Sequence, residues 1–290
     1  MYHSILIGID FSDTSVETVR WAVSRFPEAD ITLFHAIERL GIPGYLVREL
    51  GSKLEIVRER ELDAHANLEE IAAQCGIEAR VEVRAGWTPE ALAALGEEIR
   101  AELIVVGAHQ RRVWPSDEVG NTCVAIVRKA PVPVLVWRPI RQERDKTILA
   151  ALDLREGSAP IAATAARFAA YFGTRLYLLH AMPGTLQAYL RAVSSPTKVE
   201  ETMKVLEQRA RDEALSRVPE ELRDGIETRV SIVRGRPIVH HILTMAEAEA
   251  ADLIVIGKYH APGLTGRVIL GGITRQVIQG ANCSVLTVPV

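Results

Sequence analysis

Two places in each half of the chain hold residues that could handle a phosphorylated ligand. The first is an apolar run that ends in aspartate and turns through small or polar residues. It reads Ile9-Asp10-Phe11-Ser12-Asp13-Thr14-Ser15, and again Leu152-Asp153-Leu154-Arg155-Glu156-Gly157-Ser158. The second is an apolar run ending in glycine, at Gly107 and at Gly257. Each leads through a polar loop to a glycine at a helix start, Gly120-Asn121-Thr122 and Gly271-Gly272-Ile273-Thr274. Glycine lets backbone N–H groups approach an anion closely, and a helix N-terminus favours negative charge. Each such contact is worth about 0.3–1 kcal/mol. An aspartate at a strand end is also an ordinary turn or capping residue, and glycines beside a helix are often caps. Recurrence of both features in both halves weighs toward a ligand.

Other chemistry finds little support. The chain shows no G-x-S-x-G, no H-E-x-x-H, no Walker loop and no G-x-G-x-x-G after its first strand, so no standard catalytic pattern is present. His35 and His180 stand at equivalent positions and are read as structural ties between strand ends. His109, His240, His241 and His260 follow no recognised zinc spacing. The three cysteines, Cys75, Cys123 and Cys283, are far apart and form no metal or disulfide pattern, which predicts buried thiols in a reducing compartment. Net charge is −3, with basic residues spread among acidic ones, and this offers no footprint for nucleic acid. No apolar run reaches membrane-spanning length. The first strand pattern begins at about Ser4, with no room for a signal peptide, and the expected compartment is the cytoplasm.

The elements that must position these residues occur twice. Ile5–Asp10 matches Ile148–Asp153, Thr32–Ile37 matches Tyr177–Met182, Ala101–Gly107 matches Ala251–Gly257, and Val134–Val136 matches Val285–Thr287. Order is preserved and the offset drifts by only a few residues, as loop insertions cause. Domains are expected at 1–140 and 147–290, joined by a charged linker at 141–146. Strands are predicted at 4–10, 31–36, 77–84, 103–107 and 133–138, then at 147–152, 175–180, 226–233, 253–257 and 284–289. Runs such as Leu103-Ile104-Val105-Val106 are apolar on both faces, as a parallel strand covered by helices on both sides must be. Alternation of such strands with helical patterns predicts an α/β fold of two doubly wound domains, each an open parallel sheet with helices on both faces. In such a sheet, ligands bind beyond the carboxyl ends of the strands where the winding reverses. The charge-rich stretches 53–70 and 198–217 alternate in sign and read as solvated helix faces.

With these features in hand, each half resembles the universal stress protein family. That family has an early strand ending in aspartate, a glycine signature before a helix, and a Pro-x-Pro-Val-Leu-Val edge strand. Copy one matches in Ile9-Asp10-Phe11-Ser12, Gly107, Gly120-Asn121-Thr122 and Ala130-Pro131-Val132-Pro133-Val134-Leu135-Val136. Copy two matches in Leu152-Asp153, Gly257, Gly271-Gly272 and Cys283-Ser284-Val285-Leu286-Thr287-Val288. The resemblance implies five strands in the order 3-2-1-4-5, so that the two turns share one crevice. It implies ATP, with or without Mg2+, as ligand: the aspartate near the nucleoside, the glycine signature at the phosphates, and Ala36-Ile37 or Ala181-Met182 near the adenine. It also implies that the edge strands 133–138 and 284–289 meet as an internal pseudo-dimer, while a homodimer of the whole chain is left open.

Both copies depart from the pattern. In copy one the second signature glycine is Gln110, and Asp117 and Glu118 stand just before Gly120, with Arg111 and Arg112 as the only offset nearby. In copy two the loop is one residue longer (257 to 271 against 107 to 120), yet it keeps Gly263 and Gly266 and carries Lys258, His260 and Arg267 without an acid. On electrostatics copy two is the better anion site. The expected function is therefore a stress-response regulator that binds an adenine nucleotide in at least one domain, with domain two favoured and no dedicated catalysis. The alternative is an interaction module whose degenerate crevices hold no nucleotide, or a lipid-like ligand.

Overall fold

The computed structural model of the chain describes residues 1–38, 53–108, 121–139, 147–235, 237–258 and 270–290. It divides into two compact units, Met1–Pro139 and Ile140–Val290. The first contains β1 (Ser4–Gly8), α1 (Asp13–Arg25), β2 (Asp30–Ile37), α2 (Lys53–Gln74), β3 (Arg80–Ala85), α3 (Thr88–Glu98), β4 (Leu103–Gly107), α4 (Asn121–Lys129) and β5 (Val134–Trp137). The second contains β6 (Thr147–Leu152), α5 (Ser158–Phe172), β7 (Arg175–Ala181), α6 (Gly184–Val193), α7 (Pro196–Ser216), the short α8 (Glu220–Arg223), β8 (Thr228–Val233), α9 (Ile238–Ala248), β9 (Leu253–Lys258), α10 (Gly272–Gly280) and β10 (Ser284–Pro289).

Strand order is β3-β2-β1-β4-β5 in the first unit and β8-β7-β6-β9-β10 in the second, the same winding twice. All pairings within each unit are parallel. Ile5 to Gly8 run beside Leu103 to Val106, and Ile148 to Ala151 run beside Leu253 to Ile256. Right-handed crossovers then place the helices that lead outward from the first strand on one face and those that return to the fourth strand on the other.

Burial on both sides explains why the central strands are so apolar. Ile5, Leu6, Ile7, Leu103, Ile104 and Val105 are fully buried in the first unit, as are Leu149, Ala150, Ile254 and Val255 in the second. Each buried aliphatic side chain contributes roughly 1.5–3 kcal/mol. Helix α5 lies close to its sheet because the buried face is built from Ile161, Ala162, Ala165, Ala166, Phe168 and Ala169, small residues with one ring.

Several strand boundaries differ from expectation by one to three residues, two of them for evident local reasons. The first strand stops at Gly8 rather than reaching residue 10, because the chain turns left-handed at Phe11 (φ 59°). The third starts at Arg80 rather than 77, because the amide of Ile77 closes helix α2 by donating to the Ala72 carbonyl at 3.1 Å, past Gly76 at φ 67°. In the second unit, Leu186 and Leu190 of α6 pack on a buried cluster of Met182, Val199 and Met203. Among the described residues no helix is long and apolar enough to cross a membrane.

Gly173 ends α5 in the left-handed region at φ 62°, with no described atom within 4 Å of where a Cβ would stand. Gly173→Ala should therefore lower stability through the backbone alone, by about 1 kcal/mol, read as a shift in the urea midpoint with an unchanged slope.

Candidate functional site

The parallel register puts both predicted turns of each unit on one rim of its sheet. Ladder pairing of β1 with β4 ends at Gly8 beside Val106, and that of β6 with β9 at Ala151 beside Ile256. Beyond those points the chains part toward opposite faces. Ile9-Asp10 therefore runs out beside Gly107, which still pairs with Trp137 of β5. Asp153 follows Leu152, the last residue of β6, out beside Gly257-Lys258, which still pair with Val288 and Pro289 of β10.

The aspartates hold their own turns. Asp10 Oδ1 accepts hydrogen bonds from Ser12 N at 3.0 Å and Ser15 Oγ at 2.9 Å. Asp153 Oδ1 accepts from Arg155 N at 3.0 Å and Ser158 Oγ at 2.7 Å. The two serines are buried at equivalent places, five residues past each aspartate. Between lies a residue in the left-handed region, Phe11 at φ 59° or Leu154 at φ 58°. For a bulky residue that conformation costs roughly 1–2 kcal/mol and persists only where its surroundings fix it. In the first unit part of the support is visible, since the Phe11 ring stacks on His35 with centroids 4.3 Å apart.

The histidines are structural ties, as expected. His35 Nδ1 lies 2.8 Å from the Ile9 carbonyl and His180 Nδ1 lies 2.9 Å from the Leu152 carbonyl. A carbonyl only accepts, so Nδ1 carries the proton in both rings. Each bond fastens the end of the second strand to the residue just before the aspartate. Ala36 and Ile37 close β2, with the Ile37 carbonyl accepting from Gly86 N at 3.0 Å. Ala181 closes β7, and the amide of Met182 donates to the Val233 carbonyl at 2.9 Å.

The glycines separate into two kinds. At Gly257 a Cβ would come 2.8 Å from Ile161 Cδ1 and 3.2 Å from Val290 Cγ2, so any side chain there would have to displace the tip of Ile161 on α5. At Gly107 it would meet Thr18 Oγ1 at 3.1 Å. At Gly271 and Gly272, by contrast, no described atom lies within 4 Å of a built Cβ. Gly271 sits at φ −60° and ψ 147°, which any residue adopts. Neither packing among the described residues nor backbone strain accounts for this glycine pair at the start of α10. What the pair provides is main chain with no described atom where a side chain would stand. Gly272 and Ile273 are exposed. In the first unit Asn121 and Thr122 open α4 and are exposed, while Gly120, like Gly263, Gly266 and the rest of both loops, lies outside the described residues.

Sequence reasoning missed one pair of residues here. Thr274 Oγ1 donates to the Gly257 carbonyl at 2.9 Å, and Cys123 Sγ donates to the Gly107 carbonyl at 3.5 Å. Their common spacing from the helix-start glycine was the available signal. Among the described residues, no three His, Cys, Asp or Glu side chains gather to hold a metal ion.

Lys258 sets the two units apart. It closes β9 where the first unit has Ala108, and it is fully buried. Alternation along the strand points it away from α5, which Gly257 faces, and so toward the α9–α10 side. Removal from water pushes its amine down to about 7. Because the folded value lies below the ordinary 10.5, the unfolded chain holds the proton more tightly. Stability therefore rises with pH between the two values, and the full cost is present below the lower one. Lys258→Met should raise stability near pH 6 by a few kcal/mol, with about 5 as ceiling. The gain should shrink toward pH 10 in urea titrations of both proteins.

Comparison with known proteins agrees with this architecture. The model of the universal stress protein family matches residues 1–138 and again 145–289. A universal stress protein of Mycolicibacterium smegmatis is 25% identical over 99% of this chain and 97% of its own length. Universal stress protein A homolog 2 of Coxiella burnetii is 30% identical over 49% of this chain and 94% of its own. The crystal structure of a universal stress protein from Archaeoglobus fulgidus DSM 4304 shares the fold at a TM-score of 0.66 and 18% identity, covering 99% of this chain and 98% of that one. The chain belongs to the universal stress protein family and carries two of its domains in tandem.

Proposed function

We propose that the second unit binds an adenine nucleotide, ATP with or without Mg2+, and that the protein acts as a ligand-responsive regulator rather than a dedicated catalyst. The observation that carries this reading is the Gly271-Gly272 pair, whose glycine identity no described neighbour and no backbone angle requires. A phosphate seated on the first N–H groups of α10 gives both glycines a reason. Lys258, Gly257 and Ile273 would flank the phosphates, Leu152-Asp153 the ribose, and Ala181-Met182 the base, with Gly263 and Gly266 completing the loop. Ile9-Asp10, Ala36-Ile37, Gly107, Gly120, Asn121 and Thr122 form the corresponding set in the first unit, which lacks the buried ammonium. A binding role fits the aspartates, whose carboxylates are engaged by serine and backbone donors of their own turns.

One observation favours a second reading, an interaction module or lipid-like ligand site. Beside Ala181 the apolar cluster of Met182, Val199 and Met203 is covered by α6, whose outer residues Tyr189 and Val193 are 66% and 60% exposed. The same proposal has the outer strands β5 and β10 meeting each other, since an unpaired edge is a liability. A homodimer of the whole chain would be a further association, compatible with that pairing, and sedimentation at several concentrations tests it.

Thermal unfolding with and without ATP–Mg2+ tests the main reading. At a hundredfold excess over Kd the gain should be about 2.7 kcal/mol. Gly271→Val and Gly272→Val, whose Cβ positions meet no described atom within 4 Å, should fold and are expected to abolish the shift, whereas Gly120→Val should leave it. No shift at millimolar nucleotide, with an apolar molecule co-purifying in a native mass spectrum, would establish the second reading instead.

A further inference from the structure

The geometry points to Thr274, with Cys123 as its counterpart, as a positioning residue that clasps the helix start to the end of the fourth strand. This deepens the nucleotide reading above and rests on it for its purpose, though not for its existence.

The clasp follows from where the Gly257 carbonyl points. Lys258 O accepts from Val290 N at 3.0 Å, so the Lys258 carbonyl faces β10. Carbonyl directions alternate along a strand, so that of Gly257 faces β6. On that side the ladder has already ended, at Ala151 beside Ile256. The Gly257 oxygen therefore looks into the opening between β6 and β9. A buried carbonyl left without a donor is costly, and its lone pairs there would also repel an anion. Thr274 Oγ1 answers both needs from the buried side of the first turn of α10, at 2.9 Å. Thr274 is 4% exposed, so water is a poor substitute for it.

The first unit repeats the device with a different atom. Ala108 N donates to Trp137 O at 2.8 Å, so Ala108 faces β5 and Gly107 faces β1, where pairing has ended at Gly8 beside Val106. Cys123, 8% exposed in α4, supplies the donor at 3.5 Å. A thiol is a weak donor. The first unit accordingly has the looser clasp, and the second, which also carries Lys258, has the tighter one. Two independent copies of one contact, at matching places and through different chemistry, mark it as a requirement of the crevice.

Amide hydrogen exchange and ATP titration of the full chain test this together. Thr274→Val should speed exchange of the first hydrogen-bonded amides of α10, from Arg275 onward, and weaken ATP binding, each by about tenfold, the equivalent of one net hydrogen bond. Thr274→Ser should restore both, and Cys123→Thr should slow exchange of the first hydrogen-bonded amides of α4, from Ala125 onward. Unchanged exchange in Thr274→Val and in Cys123→Thr would overturn the clasp. Faster exchange in Thr274→Val with undiminished affinity would overturn its service to the ligand. If the native protein binds no ATP, the nucleotide reading falls by itself, and the exchange measurements still decide whether the clasp exists.

Discussion

Neighbouring parallel strands whose chains leave toward opposite faces of a sheet cannot stay paired, and the last main-chain groups then face a gap. Each unit of this protein has such a gap between its first and fourth strands, and the side chains around it answer that constraint. The Leu152 carbonyl accepts a hydrogen bond from His180, the Gly257 carbonyl from Thr274, and the Asp153 carboxylate from Ser158 and the Arg155 amide. The first unit does the same with His35, Cys123, Ser15 and the Ser12 amide. Once the acceptors at the mouth are engaged, the N–H groups at the helix start set the local field. That field is what the proposed nucleotide site relies on, with no large basic patch in a chain of net charge −3.

The two units share this framework but differ in what they set upon it. The second buries a lysine at the end of β9, holds its helix start with a hydroxyl, and opens α10 with two bare glycines. The first has alanine and a thiol at the corresponding places and stacks Phe11 on His35 at the rim. A fully buried amine lowers stability at neutral pH and below. Its presence at the end of β9, where the first unit has Ala108, supports the proposal that the second crevice is the one that takes the nucleotide.

Much of the fold was legible because its cause is periodic and local. Runs apolar on both faces, such as Leu253-Ile254-Val255-Ile256, require a covered parallel strand, and the duplicated order shows that the winding occurs twice. The strand order itself came from family resemblance, since spacing along the chain does not state which strands are neighbours. The role of His35 and His180 was readable from their equivalence. The clasp by Cys123 and Thr274 was signalled only by their common spacing from Gly120 and Gly271, because cysteine and threonine look unrelated until each side chain is seen donating to the equivalent carbonyl of its unit. The left-handed turns at Phe11 and Leu154 were also hidden, as bulky residues ordinarily signal the opposite backbone. Boundaries slipped where an amide changed allegiance, as at Ile77, which belongs to the end of α2 rather than to β3.

The central claim is that the opening between β6 and β9 presents the first N–H groups of α10 to a nucleotide phosphate. The most direct measurement is a titration of the amide-labelled full chain with ATP–Mg2+, followed by NMR. The account predicts the largest shifts at Gly271, Gly272 and Ile273, with smaller ones at Asp153 and Met182. A saturable response confined to other surfaces, with those three amides unmoved, would contradict it.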